Sequence, residues 1–247
     1  MSNAQGTARR ARAVAAPCAA AALLVFQLAP PHASRAQNGN ARKGDQPKAA
    51  QGNQSSAPAA RRDPEIARML SEIDARNVER TIRKLVSFGT RNTLSEQDNP
   101  ARGIGAARDW LYAEFQQIAA GAGGRMTVEK QSYTQEAQPP PRGRVPKPTV
   151  LTNVVATLRG TQPESASRVY VVSGHYDSMC TSPTDAECDA PGANDDASGT
   201  AAVLEAARVM APHEFDATIV FMAVAGEEQG LVGATQNRSR RRLLDER

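Results

Sequence analysis

The sequence predicts an α/β fold between residues 63 and 237, with a mixed, mostly parallel sheet and helices on both faces. Two observations carry this. Short runs rich in Val and Ile at 154–158, 169–173 and 218–225 have the length and β-branched content of buried strands. A helical stretch from Gly199 to Met210 separates the last two, and strands that alternate with helices build parallel pairs. No internal repeat is visible.

The elements follow in order. Asp63 is placed to cap a helix with Pro64 at its first position, and Ile66, Met69, Leu70 and Ile73 recur at helical spacing. Val78, Ile82 and Leu85 mark a second helix ending near Gly89. A third is expected from Ile104 to Ala119, with Trp110, Leu111, Phe115 and Ile118 as one apolar stripe. These three read as packing helices without chemistry of their own. Met126 to Ser132 alternates like a strand, and Pro139 to Pro148 is a Pro-rich loop that separates it from the run beginning at Leu151.

The flanks differ in kind. Arg9, Arg10 and Arg12 precede an apolar run from Ala13 to Ala29, and Ser34, Arg35 and Ala36 offer a small-x-small site, so residues 1–36 read as an export signal cleaved after Ala36. That run is short of a membrane span and is interrupted by Pro17, which also argues against lipid attachment at Cys18. The expected location is secreted or periplasmic. Residues 37–62 have almost no large apolar side chain and read as a disordered linker, and residues 238–247 as a basic tail.

Charge follows the same division. Residues 1–62 hold nine Lys or Arg against one acid, 63–237 hold sixteen against twenty-three, and 238–247 hold five against two. The basic balance therefore belongs to the ends and not to a folded face, which counts against nucleic acid as a partner. In an exported chain Cys180 and Cys188 suit a disulfide closing a small polar loop. Two free thiols are the alternative, and a thiolate metal site is weaker because two cysteines fill half a tetrahedral shell.

Three segments carry the chemistry, each at the expected end of a strand or start of a helix, where ligands of α/β sheets gather. In Ser173–Gly174–His175–Tyr176–Asp177–Ser178, Asp177 can orient the His175 imidazole and raise its basicity. In Pro191 to Gly199, the acids Asp195 and Asp196 open a helix, where a simple cap is the competing reading. In Phe221 to Gly230, Glu227 and Glu228 end an apolar strand, where like charges repel and lose hydration unless a cation intervenes. One Glu can bind metal while the other takes a proton from water. His, Asp and Glu without thiolates suit zinc.

The motifs GHYDS at 174–178, PGANDDASG at 191–199 and FMAVAGEEQGL at 221–231 resemble the secreted two-zinc aminopeptidases of the aminopeptidase Y type. The resemblance covers roughly residues 65–235. It implies two zinc ions per complete site and a peptide substrate with a free N-terminus. It implies His175 as ligand of one zinc, Asp195 as the bridge, Glu228 as ligand of the other, Glu227 as general base and Asp177 as the acid behind His175. That family has two further ligands, an Asp on a later strand and a distant His, and neither is found here. The peptidase domain at 63–237 is thus expected to be incomplete, with later strands missing, and the ending TQNRSRRRLLDER reads as a truncated or shifted frame. Two ligands per zinc predict weak metal binding and little activity for the chain itself. A carboxypeptidase-type exopeptidase or amidohydrolase with the same core, and an inactive pseudoenzyme fragment, are the alternatives.

Overall fold

The computed structural model describes residues 63–235. The export signal, the linker, the basic tail and residues 236 and 237 lie outside them.

The chain folds as a mixed α/β unit whose elements fall close to where the sequence placed them. Helix α1 (Pro64–Ser71) starts at Asp63, whose Oδ1 accepts from the Glu65 N–H at 2.8 Å, satisfying a donor that the first helical turn leaves free. Asp74 caps α2 (Ala75–Val86) in the same way, accepting from Arg76 N at 2.9 Å. Helix α3 (Gly103–Ala120) buries Ile104, Ala107, Leu111 and Phe115, a stripe at spacings of three and four, while Trp110 and Ile118 are only partly buried at its margin.

Strands β1 (Met126–Gln135), β2 (Thr149–Leu158), β3 (Val169–His175) and β4 (Thr218–Val224) form one sheet in the order β1-β2-β4-β3, with α4 (Ser198–Met210) joining β3 to β4. Pairing of β1 with β2 is antiparallel from Met126↔Leu158 to Gln135↔Thr149, and β2 with β4 is antiparallel from Val154↔Ala223 to Leu158↔Ile219. Only β3 and β4 run parallel, Val169↔Thr218 to His175↔Val224. The sheet is mixed as expected, but parallel pairing is the minority. A parallel neighbour requires a long crossover, and β3–α4–β4 supplies the single one among the described strands, while β1 and β2 are joined by the Pro-rich loop as a hairpin.

The same connectivity puts most of the described helices on one face of the sheet. Val154, Ala156 and Leu158 of β2 and Ile219, Phe221 and Ala223 of β4 share a core with Leu85, Leu111, Phe115, Val203 and Leu204, so α2, α3 and α4 all bury their apolar sides on one face. Val155, Val220, Met222 and Val224 form a second, smaller cluster on the opposite face. The one crossover places α4 on the first face, while the helical turn at 232–235 sits against Asn153 of β2, whose Nδ2 donates to Gly233 O at 3.1 Å. Edge strand β3 leaves Val169, Tyr170, Val171 and Val172 exposed. Among the described residues no helix is long and apolar enough to cross a membrane.

Candidate metal centre

The topology brings the three chemical segments to one end of the sheet. Because β3 and β4 are parallel and in register, His175 at the end of β3 lies beside Val224 at the end of β4, and the chain then turns through Gly226 into Glu227 and Glu228. Gly226 has φ +75°, and a Cβ there would come within 2.4 Å of Leu151 and 2.5 Å of Val232, so the turn that delivers both glutamates needs a glycine. The start of α4 packs directly on β3: a Cβ on Gly174 would meet Thr200 N at 2.7 Å, and Thr200 Oγ1 donates to His175 O at 2.9 Å. Residues Ala193–Ala197 make an irregular wide turn into α4, and the Asp195–Asp196 peptide is cis.

The turn separates the two adjacent acids. Asp196 accepts from His175 N at 3.0 Å through Oδ2 and from Gly199 N at 2.8 Å through Oδ1, so its carboxylate is occupied in tying α4 to β3. Asp195 has a largely exposed side chain, and its Oδ1 lies 3.1 Å from His175 Nε2. The capping reading thus applies to Asp196 and leaves Asp195 open toward the site.

Asp177 is fully buried and faces the other ring nitrogen. Its Oδ1 is 3.6 Å from His175 Nδ1, and its backbone O is 3.3 Å from the same atom. The carboxylate also accepts from Glu227 N at 3.3 Å and Glu228 N at 3.1 Å, so one buried anion orients the imidazole and fixes the glutamate turn. With Nδ1 turned to Asp177, Nε2 faces Asp195 and Glu227, whose Oε2 is 3.9 Å away. Burial pulls the His175 imidazole down, but Asp177, through hydrogen bonding and charge, with Asp196 and Glu227, pushes it up to about 9. Burial is also the main cause that raises Glu228 above the usual carboxylate range, reinforced by Asp177 and Asp195 and opposed by His175. A nitrogen ringed by carboxylates, beside a carboxylate that resists ionisation, is a place where a cation is held favourably.

Donor atoms of His175, Asp195 and Glu228 all lie within 4.8 Å of one another. An imidazole and two carboxylates without thiolate fit zinc, and three protein donors are what a catalytic zinc takes. Glu227 stands next to this group with its side chain 37% exposed. His213 is elsewhere, 3.6 Å from Glu65 and 4.0 Å from Glu72, and joins none of these residues. Cys180 and Cys188 are disulfide-bonded, so their sulfurs are not free as ligands. The loop they close is held by Asn92 Nδ2 and Gln229 Nε2, which both donate to Pro183 O, at 3.1 and 2.9 Å.

This arrangement of motifs matches known proteins. Residues 153–243 match Peptidase family M28. The matched segment belongs to peptidase family M28. A relative from Leptosphaeria maculans, named a probable zinc metalloprotease, is 55% identical over 170 residues, which are 69% of this chain and 38% of that protein. Another probable zinc metalloprotease, from Pyricularia oryzae, is 52% identical over 172 residues, 70% of this chain and 33% of that one. The chain therefore spans 38% and 33% of the length of these two relatives. Among solved structures, the Legionella pneumophila LapA aminopeptidase is similar at a TM-score of 0.50 and 24% identity, over 72% of this chain and 42% of that one. The aminopeptidase from Aneurinibacillus sp. strain AM-1 is similar at 0.53 and 15%, over 69% and 67%. At these identities the likeness is one of fold.

Two contributors to this M28 site escaped the sequence reading. Arg91 and Thr93 lie between α2 and α3, where a polar run after a glycine looks like any exposed loop. Both are buried, and both contact the segments that carry His175 and Glu228 or Asp195. No signal in a single sequence separates such an arginine from a solvated one.

Proposed function

We propose that this site removes N-terminal residues from peptides by zinc-assisted attack of water, with Glu227 as general base. The observation that carries the reading is the convergence of the His175, Asp195 and Glu228 donors beside a second, more exposed glutamate. His175 Nε2, Asp195 and Glu228 would hold zinc, with Asp195 the shared ligand where a second ion is present. Zinc, when bound, supplies Lewis acidity toward the scissile carbonyl and toward water. Glu227 takes the proton from the attacking water and returns it to the leaving amine, a task its partial exposure suits. Asp177 keeps Nδ1 of His175 occupied, so that Nε2 stays directed at the donor cluster. The requirement for a free substrate amine is supported by the motif resemblance and by the aminopeptidase fold.

The experiment compares leucyl p-nitroanilide with its N-acetylated form on the zinc-loaded chain at high protein concentration. Chelator-sensitive release from the free-amine compound alone is expected. Equal cleavage of the blocked compound would favour a carboxypeptidase-type or amidohydrolase function, and no release from either would contradict the proposal. We also propose export by residues 1–36. The Cys180–Cys188 disulfide supports an oxidising destination, and a secreted chain beginning at Gln37 is the expected product in terminal sequencing.

A further inference from the structure

We propose that the loop carrying Arg91 and Thr93 sets the spacing of the metal centre while offering no ligand itself, and that these two are its positioning residues; the proposal rests on the zinc reading above. Arg91 is fully buried. Its Nε donates to Tyr176 O at 2.7 Å, its Nη1 to Pro191 O at 2.7 Å and Leu85 O at 3.2 Å, and its Nη2 to Gly192 O at 3.0 Å. Those carbonyls belong to the residue after His175, the turn that leads to Asp195, and the end of α2. The main chain of Arg91 is held as well, its N–H donating to Ser178 Oγ and its O accepting from Ser178 N, both at 3.2 Å. Irregular backbone of this kind has no ladder to satisfy it, and the five fixed donors of a guanidinium, spread over three nitrogens, can reach carbonyls on separate segments, whereas the three donors of a lysine radiate from one atom.

Thr93 makes the third connection. Its hydroxyl donates to Asp177 Oδ2 at 3.1 Å and accepts from Gly226 N at 3.1 Å, joining the His175 segment to the turn that carries Glu227 and Glu228. One loop therefore touches all three ligand-bearing segments. The donor cluster has its dimensions because Arg91 fixes the first segment against the second, and Thr93 fixes the first against the third.

A purely architectural role would change stability alone, so the test reads metal affinity against stability. Zinc affinity of the full chain is measured by competition with a chromogenic chelator, and the visible spectrum of the cobalt form reports the ligand geometry. Thr93→Val removes both hydrogen bonds at constant shape, Thr93→Ser keeps the hydroxyl, Arg91→Lys keeps the charge without the fork, and Leu111→Ala opens a cavity remote from the site as a stability control. Thr93→Val and Arg91→Lys are expected to weaken zinc binding on the order of 10- to 100-fold and to shift the cobalt spectrum, with Thr93→Ser restoring both. Leu111→Ala should lower the melting temperature and leave affinity and spectrum unchanged. If Arg91→Lys does not fold, the Thr93 pair decides. Wild-type-like zinc binding by Thr93→Val, or an equal loss in Leu111→Ala, would overturn the positioning role alone. A folded wild type that takes up no zinc would overturn the zinc reading and this inference together.

Discussion

Adjacent acids of like charge have different surroundings in this chain, which suits them to different tasks. Glu228 is buried, and burial raises its carboxyl above the usual range, while Glu227 is more exposed and 3.9 Å from His175 Nε2. Replacing Glu227 by Gln should lower turnover by about 10²- to 10⁴-fold and leave bound zinc in place, which parallel activity and metal analysis will check. Replacing Glu228 should instead release zinc. The same division separates Asp195 from Asp196, whose oxygens are both occupied by backbone N–H groups. Residues of this kind were legible in the sequence because they break its pattern: paired acids after an apolar strand demand a cause. Arg91 breaks no pattern that a sequence displays. Its importance arises from four carbonyl partners, three of them 85 or more positions away.

At the scale of elements, the close approach of α4 to β3 decides how the second segment meets the first. A methyl group at Gly174 would lie 2.7 Å from the backbone N of Thr200. Gly174→Ala should therefore push α4 away from β3, costing about 1–3 kcal/mol in urea denaturation and weakening zinc binding at the same time. Helix α3 is joined to β1 by a different device: Asp109 pairs with its neighbour Arg108 and reaches across to Lys130. Hydrogen bonding from Arg108, aided by Lys130, holds the Asp109 carboxyl down at about 2, below its usual 3.8. A carboxyl depressed by folding stabilises the native state above its unfolded value and loses that contribution as pH falls through the folded one. Asp109→Asn should thus lower stability near neutral pH, by a difference that shrinks as pH falls toward 2 and vanishes only below it. The difference should be under about 1 kcal/mol, because the side chain is 52% exposed. The strands themselves were visible as β-branched runs, but their order was not. The β4 strand inserts between β2 and β3, a pairing made over more than sixty positions from β2 that no local periodicity encodes.

At the scale of the whole molecule, one crossover unit, β3–α4–β4, gathers His175, Asp195 and the two glutamates at one end of a four-stranded sheet. The expectation of a mostly parallel sheet came from extending that unit to the whole sheet, and the hairpin of β1 and β2 shows why it does not extend. The helices α2, α3 and α4 bury the main core against β2 and β4, and zinc bound at the end of the sheet should add to stability by mass action. The most direct test of the zinc centre is therefore metal analysis of the purified, folded full chain after dialysis against zinc, beside its His175→Ala variant, with thermal unfolding of both. About one zinc per wild-type chain, a melting temperature raised by zinc, and loss of both in the variant are expected. A folded wild-type chain that retains no zinc, or a variant that retains as much as the wild type, would contradict the reading.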